Sequence, residues 1–340
     1  VVLGACCKNA AAHRAKETTG AEVVGIHLEG PFLSMAKKGA QNADYLHKPD
    51  IEMLRRLQEA SEGCVRLVTV APEEADGVEF VKAAAEDGIT VSVGHTVATY
   101  DIASAAYAAG ASHATHFYNG MPPFHHREPG VAGAALSNDN MYAELICDGV
   151  HVHFAVAKMV ARCKGKDKLI LVTDAVQIKG FEPGVYHFAN KEWLEIGEDG
   201  CGRLKDGTLS GSSNKMINMV KNLITKCDID EVTAINAATK NPATFLELEG
   251  KGLIKENYDA LIDYCSPFFQ GSLQFPTLPS SASGISHFEE VKVIFNFIYI
   301  IKGTHFQINR VYYISITWFV IWIAIKIQRK KINLKTNRYL

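Results

Sequence analysis

TVSVGHTVATYDIASAAYAAGASHATHF, residues 90–117, carries one complete strand–helix–strand unit. Residues 90–95 are a short apolar run that ends in His95. Residues 101–110 are rich in alanine, and residues 113–117 form a second apolar run with His116 near its end. Both runs are apolar on both faces, which is the pattern of a strand buried in a parallel sheet rather than the alternation of a half-exposed one. Strand, helix and strand in succession specify a parallel pair.

The same unit repeats outward in both directions. Residues 22–28 (EVVGIHL), 66–70 (RLVTV), 143–150 (AELICDGV) and 169–175 (LILVTDA) read as further buried strands. Helical segments lie between them. Asp50 is placed to cap residues 51–60, where Leu54 and Leu57 share a face. Val78, Val81 and Ala85 form a stripe in residues 77–88, and residues 153–165 follow the fifth run. Glu29, His95, His116, His151 and Asp174 each stand just beyond an apolar run. Five strand ends that aim His, Glu or Asp at one mouth suit an α/β fold of the TIM type, a (β/α)8 barrel, better than an open doubly wound sheet. Only six strands are legible by residue 174 and nothing before Glu22 reads as one, so the barrel is expected to be incomplete, its first strands missing.

Beyond Asp174 the pattern changes. Residues 181–211 are rich in glycine, charge and turn signals and read as a hairpin insertion. Residues 207–227 then open a helix with Ser212 or Ser213 as its cap and Met216, Val220, Leu223 and Ile224 on one face. Asp230 and Pro242 mark the starts of two short helices, with Pro242 at the first helical position. Three divisions are expected: 1–20, a partial leading helix; 21–262, the barrel; and 263–340, a tail unlike a folded element. The longest apolar run of the tail, residues 311–325, falls short of the roughly 20 residues of a bilayer span, so a membrane partner is not expected.

The 340 residues are long enough for a sizeable core, and a net charge of −2 without long charge runs argues against nucleic acid as a partner. Eight scattered cysteines without a C-x-x-C pair suit reduced thiols in a cytoplasmic protein. No basic region precedes the apolar start, which does not read as a signal peptide.

Six histidines fall between His113 and His153. Imidazole is the commonest metal ligand and titrates near neutrality. Glu29, exposed by the Gly-Pro that follows it, supplies with His95 and His116 three protein ligands, leaving a fourth position for water as a catalytic zinc site requires. Asp174 ends a very apolar strand and is suited to taking and returning a proton. His151 is suited to stabilising an oxyanion. His153 reads as structural, and His125 and His126 as solvent-facing. Arg127, in the same loop, suits bidentate recognition of a phosphate. Asn119-Gly120 and Gly211-Ser212-Ser213 present backbone N–H groups to a polar ligand. KDGTLSGS lacks the spacing of a P-loop.

HLEGPF with KKGAQ, TVAPE, GHT, THFYNGM followed by HHREPG, DGVH, LVTDA, GTLSGS and NPATFL together resemble the N-acetylglucosamine-6-phosphate deacetylases of the amidohydrolase superfamily, over roughly residues 20–262. The resemblance implies metal-assisted hydrolysis of an acetamido group on a phosphorylated amino sugar, with one divalent cation, zinc by preference. It implies Glu29, His95 and His116 as metal ligands, Asp174 as catalytic base and acid, and His151 beside the substrate carbonyl. It implies Asn119 and Gly120 against the sugar phosphate and Gln41 at a position that takes His or Gln. Arg127 becomes a phosphate anchor that reaches into the partner's site of a homodimer. The family's leading β-sandwich, its first barrel strand and that strand's H-x-H are absent, and its closing motif starts in KGLIKENYDALIDY before dissolving into the tail. Two competing readings are an inactive fragment of such an enzyme and another amidohydrolase of the dihydroorotase or deaminase type.

Overall fold

The computed structural model describes residues 2–14, 21–176, 179–188, 191–253, 299–302 and 320–325. Six strands, β1 (Ala21–Glu29), β2 (Val65–Val70), β3 (Thr90–Val93), β4 (His113–Ala114), β5 (Tyr142–Leu145) and β6 (Leu169–Leu171), lie side by side in chain order. Every neighbouring pair among them is parallel. The crossovers carry helices α2 (Ile51–Ala60), α3 (Gly77–Glu86), α4 (Tyr100–Ala108), α5 (Gly130–Leu136) and α6 (Phe154–Lys168). This is an incomplete TIM-type barrel, as the sequence predicts. Helix α1 (Val2–Arg14) precedes it and packs on β1 and α2.

The strand residues account for the burial. Ile26, Leu28, Leu67, Val68, Val91, Val93, Leu145 and Ile170 are wholly inaccessible to solvent. Burying each such side chain contributes roughly 1.5–3 kcal/mol. Asp50 caps α2 by accepting the N–H of Met53 at 2.9 Å, and Leu54 and Leu57 are buried beneath it. In α3 the buried face is Phe80, Val81 and Ala84, one residue round from the predicted stripe, because the Phe80 ring turns in to meet Phe32 at 4.8 Å. A chain of polar side chains crosses the first four strands: His27 to Thr69 (2.7 Å), Thr69 to Thr115 (2.8 Å) and Thr115 to Ser92 (2.6 Å).

After β6, the two-residue β7 (Ala175–Val176) leads into an antiparallel meander of β8 (Gly184–Phe188), β9 (Lys191–Ile196), β10 (Cys201–Arg203) and β11 (Leu209–Ser212), the predicted hairpin insertion. Then come α7 (Met216–Thr225), α8 (Glu231–Ala238) and α9 (Lys240–Phe245). Ser212 and Ser213 do not cap α7, whose cap position is Lys215. Ser212 lies in β11 with its hydroxyl on the carbonyl of Thr173, and Ser213 donates to Gly200 O. Pro242 is third rather than first in α9.

Of the expected tail, the described residues are β12 (Tyr299–Lys302) and β13 (Val320–Ile325), which lie in the sheet between β1 and β7. β13 runs antiparallel to β1, and β12 parallel to β7. The rest of 254–340, with most of the long apolar run, is outside the described residues. Among the described residues no helix is long and apolar enough to cross a membrane.

Candidate metal centre and catalytic mouth

The carboxyl-terminal ends of the parallel strands carry the polar residues that the sequence singles out. Glu29 closes β1, His95 follows β3 by two residues, and His116 follows β4 by two. The three side chains meet although they are far apart in sequence. Glu29 Oε1 is 2.9 Å from His95 Nε2 and 3.3 Å from His116 Nε2, and the two nitrogens are 3.0 Å apart. All three residues are buried, with 1–5 % of their surface exposed.

The donor set fits a divalent cation. His95 Nδ1 donates to Lys37 O at 2.6 Å, and that bond fixes the tautomer and turns the Nε2 lone pair inward. A lone pair facing a carboxylate oxygen and a second imidazole is reconciled by a cation. Tetrahedral zinc with bonds of about 2.0–2.1 Å sets its ligand atoms about 3.3 Å apart, and the separations of 2.9–3.3 Å come close to that spacing. His95 and His116 both hold positive φ, 49° and 29°. Non-glycine residues in that region cluster where surrounding structure over-determines a functional site.

Two glycines press on the His95 ring. A Cβ on Gly120 would meet His95 Nδ1 at 3.0 Å, and one on Gly39 would meet Cε1 at 3.3 Å; φ is +61° and +57° respectively. Gly120→Ala is therefore expected to displace the ring and to weaken metal uptake about 10–100-fold, the range for disturbing a ligand's support. A metal titration of the two proteins checks this; equal affinities would leave the glycine without that role.

His151 lies in the turn six residues beyond β5, and Asp174 lies three residues beyond β6. The ring Nδ1–H of His151 donates to Asp148 Oδ2 at 2.6 Å, and Asp148 Oδ1 accepts the backbone N–H groups of Val150 and His151, both at 2.9 Å. Burial pushes the Asp148 carboxyl up, but the hydrogen bonds and charge of His151 outweigh it and hold the group below its ordinary range. Asp174 is buried with φ 49°, and its backbone carbonyl accepts the N–H of Ser212 at 2.8 Å.

The other predicted residues are placed as follows. Gln41 is buried and donates to Glu29 O at 3.3 Å. The Asn119 amide donates to the carbonyls of His116 and Phe117, bracing the ligand loop. Arg127 is exposed and donates to His126 Nε2 at 2.7 Å; His125 and His126 are exposed as well. His153 caps α6 by accepting the N–H of Ala155.

Three residues at the mouth escape a reading of the sequence. Asp148 stands three before His151 in a Gly-containing turn, a spacing that is itself the signal. Glu144, a lone acid in an apolar strand, is fully buried and accepts the N–H of His116 at 3.4 Å. Burial, with the charges of Glu29 and Asp174 added and that of His116 opposing, raises its carboxyl to about 8. Cys201 comes from the meander, and no local pattern ties it to the mouth.

The sequence pattern of the amidohydrolase family matches residues 4–303. An N-acetylglucosamine-6-phosphate deacetylase of Lysinibacillus sphaericus is 41% identical over 242 residues, 71% of this chain and 62% of the relative. One of Bacillus subtilis is 44% identical over 224 residues, 64% and 56% of the two chains. The chain thus spans about three-fifths of these relatives. Among solved structures, a mutant N-acetyl-D-glucosamine-6-phosphate deacetylase of Mycobacterium smegmatis in complex with N-acetyl-D-glucosamine-6-phosphate superposes with a TM-score of 0.70 at 33% identity, over 76% of this chain and 68% of that one.

Proposed function

The chain belongs to the amidohydrolase family, a metal-dependent family, and we propose that it is a hydrolase that removes the acetyl group from N-acetylglucosamine 6-phosphate, giving glucosamine 6-phosphate and acetate. The observation that carries this reading is the convergence of Glu29, His95 and His116 within 3.3 Å of one another, beside strand ends that bear His151 and Asp174. The names of the relatives supply the substrate.

In this reading Glu29, His95 and His116 hold one divalent cation, zinc, which supplies Lewis-acid polarisation of the amide. Asp174 takes a proton from the attacking water and returns it to the leaving amine. Asp148 orients the His151 ring through Nδ1 and balances its charge when Nε2–H donates to the oxyanion. Gln41, Asn119 and Gly120 line the sugar. Arg127 binds the 6-phosphate in the partner's site of a homodimer, which is consistent with its exposure on one chain. The barrel then occupies 21–262, with 1–20 a leading helix, and the β12 and β13 segments of 263–340 join its sheet beside β1, in a cytoplasmic enzyme.

The test is acetate release from N-acetylglucosamine 6-phosphate by the purified, zinc-supplemented protein. Protein that takes up the metal and releases no acetate would overturn this reading. Arg127→Ala is expected to raise KM for the phosphorylated sugar about 10–150-fold, the equivalent of about 1.5–3 kcal/mol for a charge-assisted hydrogen bond, with kcat little changed. Unchanged KM would remove the phosphate role.

A further inference from the structure

A second cluster of metal-ligating atoms gathers in the turn beyond β5, with one member from β10. His151 Nδ1 and Asp148 Oδ2 are 2.6 Å apart, and Cys201 Sγ lies 3.2 Å from Asp148 Oδ2 and 3.8 Å from His151 Nδ1. The side chains of Asp148 and His151 are each 3% exposed and Cys201 is wholly buried. All three ligand atoms fall within 4.8 Å of one another. We propose that Asp148, His151 and Cys201 form a second divalent-cation site, selective for a thiophilic ion such as zinc.

The donor chemistry supports a borderline-soft ion. One thiolate, one imidazole and one carboxylate are ligands that zinc accepts together, whereas calcium and magnesium take oxygen. With Zn–S of about 2.3 Å and Zn–N or Zn–O of about 2.0 Å, tetrahedral ligand atoms stand about 3.3–3.5 Å apart. The two sulfur separations, 3.2 and 3.8 Å, bracket that value. The Asp148–His151 pair would open from 2.6 Å to about 3.3 Å as the cation takes the place of the proton between them. Burial and the carboxylates of Asp148 and Asp199 push the Cys201 thiol up, so the cation itself draws off its proton. Asn214 Nδ2 lies 4.0 Å from the sulfur while it donates to Asp199 O at 3.1 Å, and the N–H of Cys201 donates to Asp199 Oδ1 at 3.0 Å.

The exchange balances simply. The Cys201 thiol releases its proton to solvent as the Sγ–metal bond forms. On the ring of His151 a metal at Nδ1 displaces that nitrogen's proton, which passes through solvent to Nε2, so the neutral ring then carries its one N–H there. The site would thereby turn His151 from a ring held by Asp148 into an obligate Nε2–H donor. This uptake is independent of which substrate the mouth accepts.

Co2+ titration of the metal-stripped whole chain tests the proposal without any reliance on turnover. Glu29, His95 and His116 include no sulfur, so a thiolate-to-cobalt charge-transfer band in the near ultraviolet reports the second cluster alone. Two equivalents are expected to bind, with the band developing for one of them. Cys201→Ser should abolish the band and keep the other equivalent; Asp148→Asn should weaken uptake of the banded equivalent several-fold. His116→Ala should keep the band while weakening the first site, so the two assignments fail separately. A wild-type protein without the band, or a band that survives Cys201→Ser, overturns the proposal.

Discussion

Asp174→Asn is expected to lower kcat by about 10³–10⁴ while the protein keeps its metal. The magnitude is at the upper end of what a positioned general acid–base contributes, because in the proposed reaction the same carboxylate serves both proton transfers. The structure makes the substitution a clean one. The Asp174 backbone is held from β11: its carbonyl accepts the N–H of Ser212, and the Ser212 hydroxyl bonds the carbonyl of Thr173 beside it. Gly211 is confined in the same contact, since a Cβ there would lie 2.5 Å from Asp174 O. Asparagine matches aspartate in shape and leaves these backbone bonds in place, so the turn and the neighbouring ligand set are retained. The capacity to hold a proton is lost together with the negative charge. Steady-state kinetics with metal analysis of the same preparation checks this. A variant that turns over at more than a tenth of the wild-type rate would remove Asp174 from the proton transfers, and one that loses its metal would make it a support of the metal site instead.

The parts of this site that were legible in the sequence share one physical property: they end apolar runs. Glu29, His95, His116, His151 and Asp174 break a continuous hydrophobic pattern at its edge, and parallel strands bring such edges to one face. The six strands were legible for the same reason. What escaped depends on partners far along the chain. Cys201 reaches Asp148 from 53 residues away, through a meander whose glycine and charge conceal its packing. Ser212 looked like a helix cap because serine before an apolar stripe usually is one, yet its hydroxyl is spent on Thr173 across the β11–β7 pair. In α3 periodicity alone weighs Val78 and Phe80 alike, and the aromatic contact with Phe32 decides for Phe80. Glu144 interrupts its strand as visibly as Glu29 ends one. Nothing local says that it supports the backbone of His116 rather than facing solvent.

His113→Phe is expected to remove most of an acid sensitivity in the stability of the fold. The imidazole is fully buried in β4, stacked on Tyr142 with ring centroids 4.7 Å apart and tilted over Phe245 at 4.4 Å. Nδ1 pairs with Ser112 Oγ at 2.7 Å, while Nε2 has no hydrogen-bond partner among the described residues. Burial, and then the charges of His27 and Lys168, lower it from 6.5 to about 3. The native chain therefore refuses a proton that the unfolded chain accepts. Its contribution is complete above pH 6.5 and is lost progressively as pH falls from there toward 3. At about 1.4 kcal/mol per unit, this costs roughly 2–3 kcal/mol by pH 4.5. Glu144 acts in the opposite sense: raised to about 8, it favours the folded state increasingly as pH falls from 8 to 4.5. A single melting profile therefore mixes the two. The discriminating quantity is the difference in unfolding free energy between wild type and His113→Phe, measured by denaturant titration at several pH values, in which the other groups cancel. Phenylalanine keeps the ring stack and forfeits the serine hydrogen bond, so a constant offset is expected above pH 7. Below it the wild-type curve should fall toward the variant's as pH drops, closing or reversing the offset by roughly 2–3 kcal/mol at pH 4.5. Parallel curves across that range would mean that His113 takes up its proton without unfolding the barrel.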